Sequence, residues 1–220
     1  MPQPEKMSDF FDARSEGYDA HMQGAMDAFE DFYAAIAGTI PRTEAALRIL
    51  DVGCGTGLEL DPILQRAPNA QITGVDLSDR MLARLRAKYA DRWGQMTLIQ
   101  GSYLALPLGA ARYDWAVSAM TLHHLLPESK GRLYARIRRA LKPGGRYVEG
   151  DYVVSPEKAA RLLTAYREKM VAMKDPEEGA YHVDIPLSLD TQRALLLAAG
   201  FAEVEVVWEE GEAAVYMAGG

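Results

Sequence analysis

Along this chain, short clusters of apolar residues alternate with longer stretches in which apolar residues recur every third or fourth position. The clusters fall at 47–52, 71–76, 96–100, 113–118 and 146–154. Runs this short, bounded by turn residues, predict strands. The stretches 58–65, 78–89 and 131–141 predict helices, with Ser78 as N-cap of the second and Leu133, Ile137 and Leu141 as the buried stripe of the third. That third helix should stop at Leu141-Lys142-Pro143-Gly144-Gly145, where proline cannot continue a helix and glycine can take positive φ. Strands alternating with such helices imply βαβ units and a parallel sheet.

The flanks read differently. Residues 8–38 look helical, with Phe10, Phe11, Tyr18, Met22, Met26, Phe29, Phe32 and Ile36 as apolar faces and Gly17 and Gly24 as bends. An amphipathic helix is expected at 156–173, carrying Ala159, Leu162, Leu163, Tyr166 and Met170 on one side. Another follows at 191–199. Two further β-like runs, 202–208 and 213–217, flank Glu209-Glu210-Gly211-Glu212 and predict a terminal antiparallel hairpin, with Trp208 as core, the favoured reading, or as pocket wall. The expectation is one domain over 1–220, with a helical cap at 1–40 and a substrate-side helix and loop insertion at 155–190.

Composition narrows the class. With 49% apolar residues the 220-residue chain can bury a substantial core. A formal net charge of −7 disfavours nucleic acid, which needs a cationic face. The arginines at 131–139 fall at helical spacing and read as a solvated helix face. No run approaches a membrane span, the first residues lack a secretory apolar segment, and a single cysteine suits a reducing compartment. The expected location is the cytoplasm, as monomer or homodimer.

The most informative stretch is Leu50-Asp51-Val52-Gly53-Cys54-Gly55-Thr56-Gly57, a strand that breaks into a glycine-rich turn and opens a helix. Glycines permit the tight turn and close approach of a ligand outside the carboxyl end of the strand. Asp76 ends the second strand about twenty residues later, where a carboxylate can accept bonds from both ribose hydroxyls of an adenosine. NAD and S-adenosylmethionine would both use it.

Together with Gly74-Val75-Asp76-Leu77-Ser78, Tyr113-Asp114-Trp115-Ala116-Val117-Ser118 and Leu141-Lys142-Pro143-Gly144-Gly145-Arg146, this stretch resembles the motif series of the class I, Rossmann-like, S-adenosylmethionine-dependent methyltransferases of small-molecule type. The resemblance runs from about residue 8 to the C-terminus. It implies a seven-stranded sheet of order 3-2-1-4-5-7-6 with strand 7 antiparallel, S-adenosylmethionine as cofactor and S-adenosylhomocysteine as product. It further implies that Gly53 and Gly55 lie against the methionine part, with Asp51 bracing the turn. Asp76 would hold the ribose, Leu77 would pack on the adenine, and Ala119 would offer its carbonyl. Ser102 stands where many relatives carry an aspartate for the adenine amino group. The segment from Phe11 to Asp19 is similar to one that folds over the cofactor, with Tyr18 as its contact.

Methyl transfer is an in-line displacement in which the protein mainly aligns and desolvates, so no triad is expected. His123 and His124 follow strand four, and His123 is the preferred general base. The alternative is that one of them packs or caps the following helix, since adjacent histidines on a helix cannot both face one point. Glu149 and Asp151 share a face of strand five and could hold a cationic acceptor, serve as base, or be hydrogen-bonded strand-end carboxylates. Tyr152, Tyr181, His182 and His124 are the substrate-side candidates, the loop Tyr181-His182-Val183-Asp184 being equally readable as a solvent-facing turn. Histidine spacing argues against a metal site. A small-molecule acceptor is expected. A protein side chain or RNA base as acceptor, and a noncatalytic binding role, remain as alternatives.

Overall fold

The computed structural model describes residues 5–171, 173 and 181–220. The strands are β1 (Arg48–Val52), β2 (Gln71–Asp76), β3 (Met96–Gln100), β4 (Tyr113–Ala119), β5 (Leu141–Tyr152), β6 (Glu203–Glu210) and β7 (Ala213–Gly219). They form one sheet in the order β3-β2-β1-β4-β5-β7-β6. The first five pair in parallel, and β7 runs antiparallel to both β5 and β6. This is the expected topology. Strands are added one way from β1 to β3 and the other way from β4 onward, leaving a crevice beyond the carboxyl ends of β1 and β4, where such sheets place ligands.

Helices cover both faces. They are α1 (Met7–Arg14), α2 (Tyr18–Ala25), α3 (Phe29–Gly38), α4 (Leu60–Arg66), α5 (Asp79–Lys88), α6 (Pro127–Ala140), α7 (Pro156–Val171) and α8 (Leu189–Ala198). Alternation along β1 sends Ile49 to one layer, with Phe32 and Ile36 of α3, Leu60 and Ile63 of α4 and Leu82 and Leu85 of α5. Leu50 and Val52 go to the other, with Leu133 and Ile137 of α6 and Leu196 of α8. Burial on both faces explains why the central strands read as unbroken apolar runs. Gly150 of β5 lets α3 approach closely, because a Cβ there would lie 2.6 Å from Phe32 Cζ and Ile36 Cδ1. Trp208 is partly buried, edge-on to Phe32 with ring centroids 5.9 Å apart.

Several boundaries differ from the sequence reading. The stretch 8–38 is three helices; the first break falls at Gly17, but the second falls at 26–28, since Gly24 lies inside α2. Met26 adopts an extended conformation and buries its side chain in the core, which ends the helix there. The helix expected at 58–65 starts at Leu60, because Gly57 N–H closes a turn on Cys54 O. β5 begins at Leu141 rather than Arg146, with a register shift that absorbs the Pro-Gly-Gly segment. In the terminal hairpin Glu209 and Glu210 extend β6, and the turn is Gly211 at φ +60° with Glu212. Ser78 caps α5 as expected, accepting from Met81 N–H at 3.1 Å. Residues 172 and 174–180 of the expected helix and insertion lie outside the described residues.

Candidate functional site

The turn after β1 is built from three left-handed glycines, Gly53 (φ +75°), Gly55 (φ +47°) and Gly57 (φ +73°). At Gly53 glycine is required twice over, since a Cβ would fall 2.3 Å from Thr121 Oγ1. A Cβ on Gly55 would meet nothing within 4 Å, so the turn exposes bare backbone to open space. Asp76, half-buried at the end of β2, faces that turn: its Oδ2 accepts from Gly55 N–H and its Oδ1 from Ser78 N–H, both at 2.8 Å. Burial raises its carboxyl above the ordinary value, and the backbone donors oppose that rise.

Gly53, Gly55, Asp76, Leu77, Ser102 and Ala119 all line one crevice, closed on its other side by Met7, Phe11 and Tyr18 of the cap. Its enclosed space is about 70 Å³, within about 640 Å³ that includes the open mouth. The lining suits an adenosyl sulfonium: a carboxylate to accept from vicinal hydroxyls, a half-exposed apolar Leu77, and a bare glycine backbone. Ser102 Oγ already accepts from Leu104 N–H at 3.2 Å. Asp51 does not line the crevice. It lies fully buried beneath the turn, joined by a side-chain hydrogen bond to buried Glu59, and burial pushes both carboxyls up. Apart from the proton that such a bond requires, neither Asp51 oxygen has a donor. Cys54 is buried and its thiol pushed up, so it fills space and is no nucleophile.

A second cavity of about 490 Å³ adjoins the first. Phe11, Tyr18, Met120 and His124 line both. Its walls come from Phe10, Phe11 and Tyr18 of the cap, from His123 and His124 after β4, from Tyr152 at the end of β5, and from His182 and Asp184. His123 Nδ1 lies 2.5 Å from Asp151 Oδ1, and Asp151 is fully buried behind it. The imidazole and Lys130 hold the Asp151 carboxyl below its ordinary value despite burial. His124 is pushed down to about 4 by burial and by the neighbouring His123, and Asp184, hydrogen-bonded by His124, falls to about 2.

Adjacent histidines do face one point here. They sit on a short 3-10 turn, Leu122–His124, instead of an α-helix, and reach Asp184 Oδ1 with different ring nitrogens: His123 Nε2 at 3.7 Å and His124 Nδ1 at 3.2 Å. His182 stacks on Phe10 with centroids 3.4 Å apart and brings Nε2 to 3.9 Å of the same oxygen. The loop at 181–184 is therefore part of the cavity wall. Its Tyr181 lies outside the lining and pairs as a β-bridge with Lys6.

Glu149 is placed elsewhere. It is buried in the core, accepting from Tyr134 at 2.7 Å and Tyr147 at 2.8 Å, with Lys130 Nζ 2.9 Å away. Neither cavity reaches it. It faces the α6 side of the sheet, a hydrogen-bonded structural carboxylate. The sequence reading also passed over Met120 and Thr121. Met120 holds φ +50°, unusual for a non-glycine, and sits between the two cavities. No sequence signal marks it, because the strain arises from where β4 ends.

Residues 49–145 match the family model described as a methyltransferase domain. Over 181 residues the chain is 26% identical to an uncharacterized methyltransferase of Geobacillus sp. (strain WCH70), covering 81% of this chain and 75% of that protein. It is 30% identical over 169 residues to the 27-O-demethylrifamycin SV methyltransferase of Amycolatopsis mediterranei (strain S699), covering 75% of this chain and 57% of that protein. The crystal structure of human N-acetylserotonin methyltransferase in complex with S-adenosylmethionine superposes with a TM-score of 0.60 at 18% identity, covering 96% of this chain and 54% of that one. The chain thus spans little more than half of the last two proteins. The fold, the motif positions around the crevice and these likenesses support a class I, Rossmann-like, S-adenosylmethionine-dependent methyltransferase.

Proposed function

We propose that this protein transfers a methyl group from S-adenosylmethionine to a small-molecule acceptor held in the second cavity. The observation that carries this reading is the contiguity of the two cavities through Phe11, Tyr18, Met120 and His124. When bound, the cofactor supplies an activated sulfonium methyl. The chain's own residues do the rest. Asp76 and the glycine turn hold the adenosyl end, and Tyr18 and Met120 sit where the methyl would pass. His123, fixed by Asp151, meets the acceptor.

The walls suit a compact, partly aromatic acceptor. Phe10, Phe11, Tyr18 and Tyr152 offer flat apolar faces, while the imidazoles and Asp184 offer polar contacts on one side. A protein side chain or RNA base would need an open groove, whereas α1, α2 and residues 181–184 cover this cavity. The relative named for methylation at oxygen supports an oxygen acceptor. The described residues of the cap at 1–40 and of the segment 155–190 are proposed as the cover of the acceptor site. A single cysteine, buried Cys54, suits a protein of the reducing cytoplasm. No helix among the described residues is long and apolar enough to cross a membrane.

Conversion of S-adenosylmethionine to S-adenosylhomocysteine with a macromolecule-free metabolite extract tests the proposal. Turnover there supports a small-molecule acceptor. Turnover only with protein or RNA present moves the acceptor to that class, and cofactor binding without any turnover makes the chain a binding protein.

A further inference from the structure

We infer that His123, His124, His182 and Asp184 form a site for one divalent cation of the zinc type, facing the acceptor cavity. The inference deepens the proposed function, since the cation would hold the acceptor within that same cavity. It starts from a convergence: three imidazole nitrogens from two distant segments approach one carboxylate oxygen, Asp184 Oδ1, at 3.2, 3.7 and 3.9 Å. Ligands of a tetrahedral zinc ion, bonded at about 2.0–2.1 Å, stand roughly 3.3–3.4 Å from one another. The donor atoms of His123, His124 and Asp184 all lie within 4.8 Å of each other, compact enough to surround a single ion.

Hydrogen bonding alone does not account for this arrangement. Only the His124 contact is short enough to be a hydrogen bond. His123 Nδ1 is engaged by Asp151 at 2.5 Å, and its Nε2 is turned toward the Asp184 carboxylate oxygen 3.7 Å away. A single cation between these atoms would be held by all of them at once.

The surroundings have the form that metal sites take. Buried Asp151 on the far nitrogen of His123 is a carboxylate–histidine pair, which fixes the tautomer and aims the other nitrogen at the ion. Lys130, 3.9 Å from Asp151, and the Tyr152 N–H, 2.9 Å from it, hold that carboxylate in turn. Phe10 stacked on His182 sets the plane of the third ring. The Asp184 side chain is 55% exposed, so ions can reach the cluster from solvent. A set of three imidazoles and one carboxylate selects zinc, cobalt, nickel or iron over magnesium or calcium. An oxygen or sulfur atom of the acceptor would complete the coordination from the cavity side.

The test uses the full chain, freed of metal by chelator and dialysis, and titrated with Zn²⁺ by calorimetry and with Co²⁺ by visible absorption. One equivalent should bind, with the intense visible bands of four- or five-coordinate Co²⁺. Asp184→Asn and His182→Ala should each weaken Zn²⁺ binding at least tenfold, and Asp151→Asn by roughly 10–100-fold, because it loosens the hold on the far nitrogen of His123. None of the three should alter S-adenosylhomocysteine affinity, which also reports that the variants fold. His21→Ala, at the only other histidine of the chain, should bind as the parent does. Absence of stoichiometric binding, or binding lost in His21→Ala and kept in Asp184→Asn, overturns the inference. Turnover by metal-free protein with no Co²⁺ binding sinks the cation site and leaves the methyltransferase reading standing. Stoichiometric binding with no turnover on any acceptor does the reverse.

Discussion

Asp76 and Gly55 are joined across the crevice: the Asp76 Oδ2 accepts the Gly55 N–H at 2.8 Å, tying the end of β2 to the turn after β1. The second oxygen accepts from Ser78 N–H at the start of α5. The carboxylate is thus oriented by backbone before any ligand arrives.

Asp76→Ala should weaken S-adenosylhomocysteine binding by roughly 1.5–3 kcal/mol, the range for hydrogen bonds to a charged group. Calorimetric titration of both proteins measures it. Equal affinities would remove Asp76 from its role.

Two glycine substitutions should separate folding from binding. Gly53→Ala meets Thr121 at 2.3 Å and adds left-handed strain, so a loss of about 2–5 kcal/mol in unfolding free energy is expected. Gly55→Ala shares the strain but clashes with nothing, so about 1–2 kcal/mol is expected. Its methyl enters the crevice, and cofactor affinity should fall well beyond the change in stability. Urea unfolding paired with titration reads both. If Gly55→Ala binds as tightly as the parent, that face of the turn does not meet the ligand.

The buried pair Asp51 and Glu59 gives a pH dependence of definite sign. Both carboxyls are pushed up in the folded state, so the fold binds their protons more tightly than the unfolded chain does. Their stabilising contribution is complete below the unfolded carboxyl range near 4 and is lost as pH rises through the raised folded values. Glu59→Gln should therefore flatten the decline of urea midpoint with rising pH above about 5. Parallel profiles for the two proteins would show that the pair does not share a proton.

Lys130 is fully buried against Glu149 at 2.9 Å, so Lys130→Met should leave a buried carboxylate uncompensated and cost about 3–5 kcal/mol. Adding Glu149→Gln should restore part of that loss. A double variant no more stable than the single one would show that the two charges are not coupled.

Much of the fold was legible because the central strands announce themselves: burial on both faces makes them apolar runs, and the Gly-rich turn and Asp76 are local in sequence. What stayed hidden depends on distance or on local geometry. Glu149 and Asp151 look equivalent in alternation, yet the end of the strand separates them, since Asp151 reaches His123 while Glu149 remains among tyrosines. The spacing of His123, His124 and His182 spoke against a shared site, because nothing in the sequence reveals that residues 181–184 pair with the chain's beginning through Lys6 and Glu5. The 3-10 turn at 122–124 likewise has no periodic signature.

Helix α3 is locked onto β5 at Gly150, whereas α1 and α2 are latched to the sheet side by Asp12 on Ser78 and by Asp19 on Thr56 and Lys88. Those two short helices wall the nucleoside crevice and the neighbouring chamber at once. One cover therefore serves both guests, and the methyl donor is expected to settle beneath it before the acceptor fills the adjoining chamber. Steady-state kinetics should show compulsory order, the nucleoside arriving first and departing last, so that S-adenosylhomocysteine competes with the methyl donor and not with the acceptor.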